Sequence, residues 1–329
     1  MSEASPIDVV IMWVDGSDQS FIELEKMAVA EEIANGRTVV TEAARHRDNG
    51  ELKYVIRSVF YNLPWVRRIY VVTNGQKPTS VRFDAEKLVH VQHADIFPDC
   101  SVLPSFNTFA IESCVHRIPG LSNVFLRFSD DFFVGRPASR NDVLGDRGSG
   151  RFVFQGKVQV EPTTPYQMQI SSNAALFERV TGRRPLINFG HAPQPRDRQV
   201  FEAFTDTFSE SIDRTRRSRF RSKDDIISLF LYPYFHVMKC APDRMSDLLA
   251  GTGDSDNIVQ KFAIGVWFAQ VLVGVPDGFW RDRLDRVLIE RPLYVNLNDQ
   301  FQEATRDKDL DLMIQFLEAM FPRPSPFEV

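Results

Sequence analysis

Two adjacent carboxylates, Asp130 and Asp131, follow the apolar, β-rich run Val124–Phe128 after the single residue Ser129. Carboxylate oxygens at the end of a buried strand are hard ligands for Mg²⁺ or Mn²⁺, and such an ion could carry a nucleotide diphosphate. A structural interpretation also explains the pair, with Asp130 capping a turn and Asp131 in solvent. The pair alone therefore leaves a metal site and an ordinary turn open.

A second group that could do chemistry is His191, which lies in the Gly- and Pro-framed loop 189–193. A histidine held in such a loop can act as a general acid or base. Most loop histidines are simply surface residues, and the local sequence does not separate the two interpretations. Hydride transfer, P-loop hydrolysis and serine-esterase chemistry lose their usual support, because the sequence has no G-x-G-x-x-G, Walker A or G-x-S-x-G motif.

Six cations fall within ten residues around position 220. The planar guanidinium fork of arginine suits bidentate phosphate binding. A solvated helix face or a nucleic-acid patch would have the same composition. Phe220, between two of the arginines, indicates that part of this basic run is anchored to the protein. The six residues are Arg214, Arg216, Arg217, Arg219, Arg221 and Lys223.

The charged segment 45–51 precedes a strongly amphipathic stretch. Asp48 and Glu51 have the spacing of a capping box, and a helix N-terminus offers free N–H groups and a positive dipole that can orient an anion or a base. The apolar periodicity predicts a helix of about 14 residues that ends before Pro64. Asp48 is therefore either a functional group or merely the N-cap.

The elements that must position these residues can be predicted from the first half of the chain, where apolar runs alternate with helical segments. This alternation predicts parallel strands in a doubly wound α/β sheet, with one helix over Phe106–Val115. The predicted strands are Ile7–Trp13, Ile69–Thr73, Leu88–Val91 and Val124–Phe128. Open parallel sheets bind ligands beyond the carboxyl ends of their strands. The residues predicted at that edge are Asp15, Asn74, Gly75, Asp130 and Asp131.

The second half is expected to be more helical, with proline-punctuated loops beyond Pro165. The alternating segment Arg151–Val160 predicts an edge strand. Leu293–Leu297 is expected to return as a strand, and Asp309–Met320 as a final helix.

Composition bounds the class of protein. The 329 residues are 43% hydrophobic and 25% charged, which is typical of a globular chain with one large domain or two tightly joined ones. The formal net charge of −5 provides no basic excess to coat nucleic acid or an anionic membrane.

No apolar run reaches the roughly 18 to 20 residues of a bilayer span, and Ile226–Met238 and Ile264–Val275 have the length of core helices. Met1–Pro6 lacks the pattern of a secretory signal, so we expect a cytoplasmic protein.

Three cysteines, Cys100, Cys114 and Cys240, show no C-x-x-C spacing. Their odd number argues against a disulfide framework and against a structural zinc site. The sequence predicts plain buried thiols.

Seven blocks in sequence order resemble the Stealth family of bacterial capsular polysaccharide hexose-1-phosphate transferases, which share a catalytic core with lysosomal-enzyme N-acetylglucosamine-1-phosphotransferase. The resemblance spans nearly the whole chain, which makes it far more specific than any single motif. The blocks are IDVVIMWVDGSD (Ile7–Asp18), RHRDNGELKYVIRSV (Arg45–Val59), the long segment Leu103–Gly135 with its SDD acids, GHAPQP (Gly190–Pro195), SRFRSKDDI (Ser218–Ile226), VNLND (Val295–Asp299) and FPRPSPFE (Phe321–Glu328).

The resemblance implies transfer of a sugar-1-phosphate from a UDP-sugar, such as a UDP-N-acetylhexosamine, to a glycan hydroxyl in capsule or exopolysaccharide synthesis. The products would be a phosphodiester and UMP. It also implies a mainly parallel, Rossmann-like and GT-A-like sheet, a Mg²⁺ or Mn²⁺ cofactor, and no nucleic-acid partner. The expected location is the cytoplasm, with peripheral association at the inner face of the membrane, where capsule assembly takes place.

Residue by residue, the family's catalytic aspartate falls on Asp48, its histidine on His191 and its basic-block arginine on Arg221. Its paired metal-site acids fall on Asp130 and Asp131. Around these, the expected substrate-binding residues are Asp15, Arg117 and Arg219, with Arg219 as a helper of the phosphate clamp. Asn74 and Gly75 are added to them by analogy with other strand-end turns that hold nucleotides. His191 is the first choice for the base, and Asp48 is the second or orients His191 or the acceptor.

Two differences from the family's usual residues affect the expected metal site. Ser129 replaces the family's usual Asn before the acid pair, and Cys114 replaces a frequent His, while His116 and Arg117 are kept. Ser129 can still hydrogen bond, but metal dependence follows less directly from the sequence than the reaction does.

The expected organisation is one catalytic unit over residues 1–329: a nucleotide-sugar-binding part at 1–160, a helical acceptor- and phosphate-binding part at 161–292, and a C-terminal strand and helix at 293–329. The alternatives are a GT-A-like glycosyltransferase that releases UDP and a non-catalytic glycan-binding protein.

Overall fold

A five-stranded sheet lies at the centre of the protein in a computed structural model, which describes residues 5–39, 46–145, 150–244, 259–260, 268–276 and 278–329. In sheet order its strands are β3 (Leu88–Gln92), β2 (Ile69–Thr73), β1 (Ile7–Met12), β4 (Val124–Ser129) and β8 (Gln194–Asp197). The first four strands are parallel, and β8 pairs antiparallel with β4. The predicted doubly wound, mainly parallel sheet is confirmed.

Both faces of this sheet are covered, which explains why its strands are continuous apolar runs in the sequence. Along β1, Val9 and Ile11 pack into one core, while Val10 and Met12 pack into another on the opposite face. Successive side chains of a strand point to opposite faces, so both sets are buried. The helices of this half are α1 (Gln19–Ala34), α2 (Leu52–Asn62), α3 (His93–Ile96), α4 (Thr108–Glu112) and α5 (Arg140–Leu144).

Two three-stranded sheets flank the centre. One has the order β10 (Phe268–Val273), β11 (Tyr294–Asp299), β5 (Phe132–Val134), and the other has β7 (Ile187–Phe189), β6 (Phe152–Lys157), β9 (Val259–Gln260). Because β5 follows β4 after a two-residue turn and pairs with β11, the C-terminal strand is tied to the carboxyl end of the central sheet.

The second half is more helical, as predicted, and it has an aromatic core of its own in which Phe204, Tyr232 and Tyr234 are fully buried. Its helices are α6 (Pro165–Thr181), α7 (Arg198–Thr207), α8 (Ser209–Arg217), α9 (Ser228–Cys240), α10 (Trp280–Glu290) and α11 (Arg306–Met320). The predicted core helix around Ile226–Met238, the strand at Leu293–Leu297 and the final helix are confirmed. The three-part division of the chain stays a prediction.

Three predicted elements are wrong in detail. Segment Arg151–Val160 forms the shorter β6, which is the middle strand of its sheet rather than an edge. The described part of Ile264–Val275 contains strand β10 instead of a helix, and residues 264–267 lie outside the described residues. The helix expected over Phe106–Val115 is reduced to α4 and a following 3₁₀ turn.

The N-cap prediction for Asp48 is also wrong. Helix α2 has 11 residues and begins at Leu52, with Glu51 as its N-cap and no side-chain capping bond. It does end before Pro64, as predicted. Asp48 is therefore free of a capping role.

All three cysteines are free thiols, but only Cys114 is buried, so the prediction of buried thiols is wrong for Cys100 and Cys240. Within the described ranges, no helix combines the length and the apolar character that crossing a bilayer requires.

Candidate functional site

The antiparallel register of β8 brings His191 to the edge where the parallel strands end. Gln194 of β8 pairs with Arg127, near the carboxyl end of β4. His191 precedes Gln194 by three residues, so its loop extends beyond that end. Asp15, after β1, and Asp130, after β4, follow adjacent parallel strands and lie at the same edge.

A close backbone contact holds the Asp15 turn against the segment that carries Asp48. The Gly16 amide donates to the carbonyl oxygen of His46 at 2.6 Å, and a Cβ on Gly16 would lie 2.5 Å from that oxygen. Only glycine fits there. Gln76 clamps the same turn, since it accepts from the Asp15 amide at 3.1 Å and donates to the Asp15 carbonyl at 2.8 Å.

Hydrogen bonds on both sides of Asp48 hold the segment 47–51 in place. The carboxylate of Glu51 accepts from the backbone amide of Asn49 at 2.7 Å and from its side-chain amide at 2.9 Å. Arg47 Nη1 donates to both carboxylate oxygens of Asp299, at the end of β11, at 2.6 and 2.9 Å. These contacts fix Asp48, which accepts from the Gly50 amide at 3.0 Å. Arg45, in the same charged segment, lies outside the described residues.

Four carboxylates of the site influence one another. Burial raises the pKa of Asp130 well above its usual range, and the charges of Asp131, Glu51 and Asp48 add to the effect. Burial also raises the pKa of Asp131 to about 6 and that of Glu51 to about 7. The pKa of Asp48 is raised by burial and by Asp15. These acids form a cluster beyond the carboxyl ends of the strands, in the space called the cleft from here on, and their ionised forms are disfavoured there by burial and by one another.

The acid pair is more than a solvated turn. Asp130 and Asp131 are partly exposed yet enclosed by protein on most sides, as groups on the floor of a cleft are. The Asn296 amide donates to Asp131 at 2.7 Å. The interpretation in which Asp131 is merely solvated is wrong.

The donor set of the acid pair fits a magnesium-type ion that is shared with a substrate. In the described part of the chain, no group of three His, Cys, Asp or Glu residues is arranged to hold a metal. Mg²⁺, however, is often bound through one or two carboxylates and completed by substrate phosphate and water. Adjacent carboxylates with raised pKa values would be relieved by such a cation, so Asp130 and Asp131 fit this mode rather than an all-protein cage.

The basic loop, residues 218–225, is held by the side-chain amide of Asn107. This amide donates to the carbonyls of Ser218 at 3.1 Å and Phe220 at 3.4 Å, and to the carboxylate of Asp225 at 2.8 Å. Phe220 stacks on Phe106 with ring centroids 5.1 Å apart. The anchoring predicted from Phe220 is confirmed.

Anchoring places Arg221 against helix α4. Its guanidinium donates to Thr108 Oγ1 at 3.1 Å and lies 4.8 Å from the ring centre of Phe109. The neighbouring cations diverge, because Arg219 pairs with Glu31 and Arg216 donates to Ser113. The run is therefore not a single basic patch.

His191 is half-buried, and it contacts both Phe132, which follows the acid pair, and Tyr166 of α6. Its ring lies 6.4 Å from the rings of Phe132 and Tyr166, measured between centroids. Burial lowers the pKa of His191 to about 4, and the positive charges of Arg127 and Arg221 contribute. His191 and Arg221 are thus within electrostatic reach of each other, and the imidazole is neutral at physiological pH.

Other predicted residues lie further from this centre. Asn74 and the exposed Gly75 follow β2 at the same sheet edge, and Gly75 has a φ of +112° that favours glycine. Arg117 is exposed, donates to the carbonyl of Ile96 at 3.0 Å and acts electrostatically on His116. No described contact joins Arg117 to His191 or Arg221.

The sequence analysis missed a buried ion network below His191. Glu112 Oε2 accepts from Arg127 at 2.7 Å, and its Oε1 accepts from Arg196 at 2.5 Å and from the hydroxyl of Ser228. Burial would raise the pKa of Glu112, but the two guanidinium groups lower it to about 2.

Arg127 is the missed residue most relevant to the site. It is 4% exposed, and its Nε and Nη1 have no hydrogen-bond partner among the described residues. Buried donors without partners are rare. The signal was present in the sequence, since a single charge in the apolar strand VFLRFS requires an explanation.

Two regions match family models. Residues 45–151 match Stealth protein conserved region 2, and residues 190–238 match conserved region 3.

Curated relatives agree with this match. The chain is 34% identical to an exopolysaccharide phosphotransferase of Streptomyces coelicolor over 98% of this chain and 51% of that protein. It is 27% identical to the capsular polysaccharide phosphotransferase SacB of Neisseria meningitidis serogroup A, over 98% of this chain and 57% of that protein. The chain spans about half the length of these relatives.

Among solved structures, the galactosyltransferase LgtC in complex with donor and acceptor sugar analogues is similar at 11% identity, with a TM-score of 0.43. The alignment covers 97% of this chain and 98% of LgtC.

The raised pKa of Glu51 gives a prediction on stability. The pKa of Glu51 is about 7 in the folded protein, compared with an ordinary value of 4.5. The protonated carboxyl therefore stabilises the folded state below pH 4.5, and this stabilisation is lost as the pH rises through 7. The unfolding free energy of Glu51→Gln minus that of wild type should therefore increase by up to about 3 kcal/mol from pH 4.5 to pH 8, at roughly 1.4 kcal/mol per pKa unit. Denaturant unfolding at both pH values measures this difference.

The control is Glu318→Gln. The pKa of Glu318 is lowered, so at pH 8 this variant should lose stability instead. A Glu51→Gln difference that does not change with pH would contradict the assignment of buried charge at this position.

Proposed function

Because the chain belongs to the Stealth family, we propose that it transfers a sugar-1-phosphate from a UDP-sugar to a glycan hydroxyl in capsular or exopolysaccharide synthesis. The names of the relatives support phosphotransfer in polysaccharide synthesis. The observation that carries the proposal is local: His191 lies within electrostatic reach of Arg127 and Arg221, packs against Phe132 next to the acid pair, and shares the influence of Arg127 with Asp131.

In the proposed reaction the acceptor oxygen attacks the phosphorus that carries the sugar. A new P–O bond forms to the acceptor, the P–O bond to UMP breaks, and the sugar keeps its anomeric C–O bond. Arg221 binds the phosphate oxygens, since a positioned guanidinium can stabilise the charge that develops on them. Arg127 adds a second guanidinium with unused donors, whereas Arg219 is engaged by Glu31 and serves at most as a helper.

His191 takes the proton of the acceptor hydroxyl. A pKa of about 4 makes it a weak base in the unliganded protein, but the imidazole is then unprotonated and ready to accept. Bound phosphate places negative charge near the ring and raises its pKa, so the base strengthens when the donor is present. Asp48 is the second candidate for the base, or it orients His191 or the acceptor.

Asp130 and Asp131 would hold Mg²⁺ or Mn²⁺, which when bound neutralises charge on the donor diphosphate. The Asp15 turn and the Asn74–Gly75 turn would contact the uridine or ribose. Both turns follow strands on the far side of β4 from His191, which leaves the β8 side of the cleft for the acceptor.

Product analysis tests the reaction class. Incubation with UDP-sugars, UDP-N-acetylhexosamines first, and short glycan primers in Mg²⁺ should release UMP and give a phosphodiester signal in phosphorus NMR. Release of UDP without a phosphodiester would instead identify a glycosyltransferase. Binding without any nucleotide release would identify a glycan-binding protein. A parallel reaction in EDTA should be slow, because the acidic cluster then faces the diphosphate without a cation.

The site residues are tested by substitution. His191→Ala and Arg221→Ala should each lower turnover by roughly two to four orders of magnitude, as is typical when an acid–base or charge-stabilising group is removed. Arg217→Ala, an exposed cation of the same run, is the matched control and should keep near wild-type turnover. Melting temperatures verify folding. Wild-type rates in both site variants would remove these assignments.

A further inference from the structure

A groove of about 230 Å³ lies between β6 and the first turn of α6. Four of its nine lining residues carry side-chain amides, one is the aromatic Tyr166, and its only charge is that of Lys157. No carboxylate lines it. The amides belong to Gln155, Gln159, Gln167 and Asn188.

Two connections link this groove to the site. Tyr166 lines the groove and also packs edge-on against the ring of His191. A chain of amide hydrogen bonds runs from the groove to the acidic turn: Gln155 donates to Gln270 at 3.2 Å, Gln270 to Asn296 at 2.9 Å, and Asn296 to Asp131 at 2.7 Å. The groove therefore borders the site beside His191.

The lining chemistry suits a neutral sugar. All four amides make a hydrogen bond within the protein: Gln155 and Gln159 donate through Nε2, and the oxygens of Gln167 and Asn188 accept. An amide has two N–H donors and an oxygen with two lone pairs, so each keeps capacity for sugar hydroxyl groups, which both donate and accept. An aromatic ring provides an apolar surface for the C–H face of a pyranose. A diphosphate would find a single cation here, and pockets for drug-sized ligands are larger, about 300 to 1,000 Å³. The groove thus has room for one sugar unit rather than a nucleotide sugar.

We propose that this groove is the acceptor subsite, which binds the terminal sugar of the acceptor glycan and presents its hydroxyl to His191. The inference rests on the proposed function and adds to it the place where the second substrate binds.

Gly156 allows the groove to be filled from its own wall. A Cβ added there meets no atom within 4 Å, so Gly156→Trp should introduce bulk without a backbone clash. Tyr166→Ala removes the aromatic wall instead, and Gly156→Ala is the matched control. Each variant is compared with wild type for acceptor KM, for UDP affinity by calorimetry, and for binding of a panel of short neutral oligosaccharides by saturation-transfer NMR.

We expect Gly156→Trp and Tyr166→Ala to raise the acceptor KM at least ten-fold and to lose oligosaccharide binding, with UDP affinity within two-fold of wild type. Gly156→Ala should stay within two-fold in every assay. An unchanged acceptor KM in a folded variant, a loss of UDP affinity in its place, or no oligosaccharide binding by wild type would each overturn the proposal.

The two proposals fail separately. Oligosaccharide binding that Gly156→Trp abolishes, in a wild-type protein that releases no UMP, would support the groove and contradict the reaction. UMP release with an acceptor KM that Gly156→Trp leaves unchanged would support the reaction and contradict the groove as the acceptor subsite.

Discussion

The buried carboxylate of Glu112 joins the elements that carry the two sides of the site. It lies on α4, whose first residues hold the Arg221 loop, and it pairs with Arg127 on β4 and Arg196 on β8. The acidic turn follows β4 and the His191 loop precedes β8, so one ion network fixes both. Removing one partner of a buried ion pair typically costs about 3 to 5 kcal/mol, because the remaining charge is left uncompensated. The relative positions of the acidic turn and the His191 loop are therefore fixed by this ion network as well as by the pairing of β4 with β8.

The same network leaves one positive charge in excess, since two guanidinium groups face a single carboxylate. Arg127 has two donor nitrogens without a partner among the described residues, and its charge acts on both His191 and Asp131. At the same end of the sheet, Asp48, Glu51, Asp130 and Asp131 form an acidic cluster whose ionisation is opposed by burial and by the neighbouring acids. A diphosphate with a divalent cation would compensate both sides. Without ligands, the protein keeps its imidazole neutral and its carboxyl groups partly protonated.

The sequence was sufficient for the features that depend on local pattern. Strands buried on both faces appear as continuous apolar runs, and their alternation with helices predicted the parallel sheet and the edge at which Asp15 and Asp130 lie. The family resemblance supplied His191 and Arg221, which no local pattern could have paired. Features set by distant contacts were not accessible in this way. Asn107 reaches Asp225, and Arg47 reaches Asp299, over separations that no motif encodes.

The errors have physical causes as well. Asp48 has the spacing of an N-cap, but Glu51 is held by Asn49 and the helix begins one turn later. Segment Arg151–Val160 alternates like an edge strand, yet β7 and β9 cover both of its sides. In each case a tertiary contact overrides a local preference.

The central claim is that burial, reinforced by the positive charges of Arg127 and Arg221, keeps the His191 ring neutral. An NMR titration of ¹³C-labelled histidine tests it, with the His191 signal assigned from a His191→Asn variant. In the unliganded protein the His191 signal should titrate near pH 4, and Arg127→Gln should move it upward toward the ordinary value of 6.5. A wild-type titration near 6.5 that Arg127→Gln leaves unchanged would contradict the account.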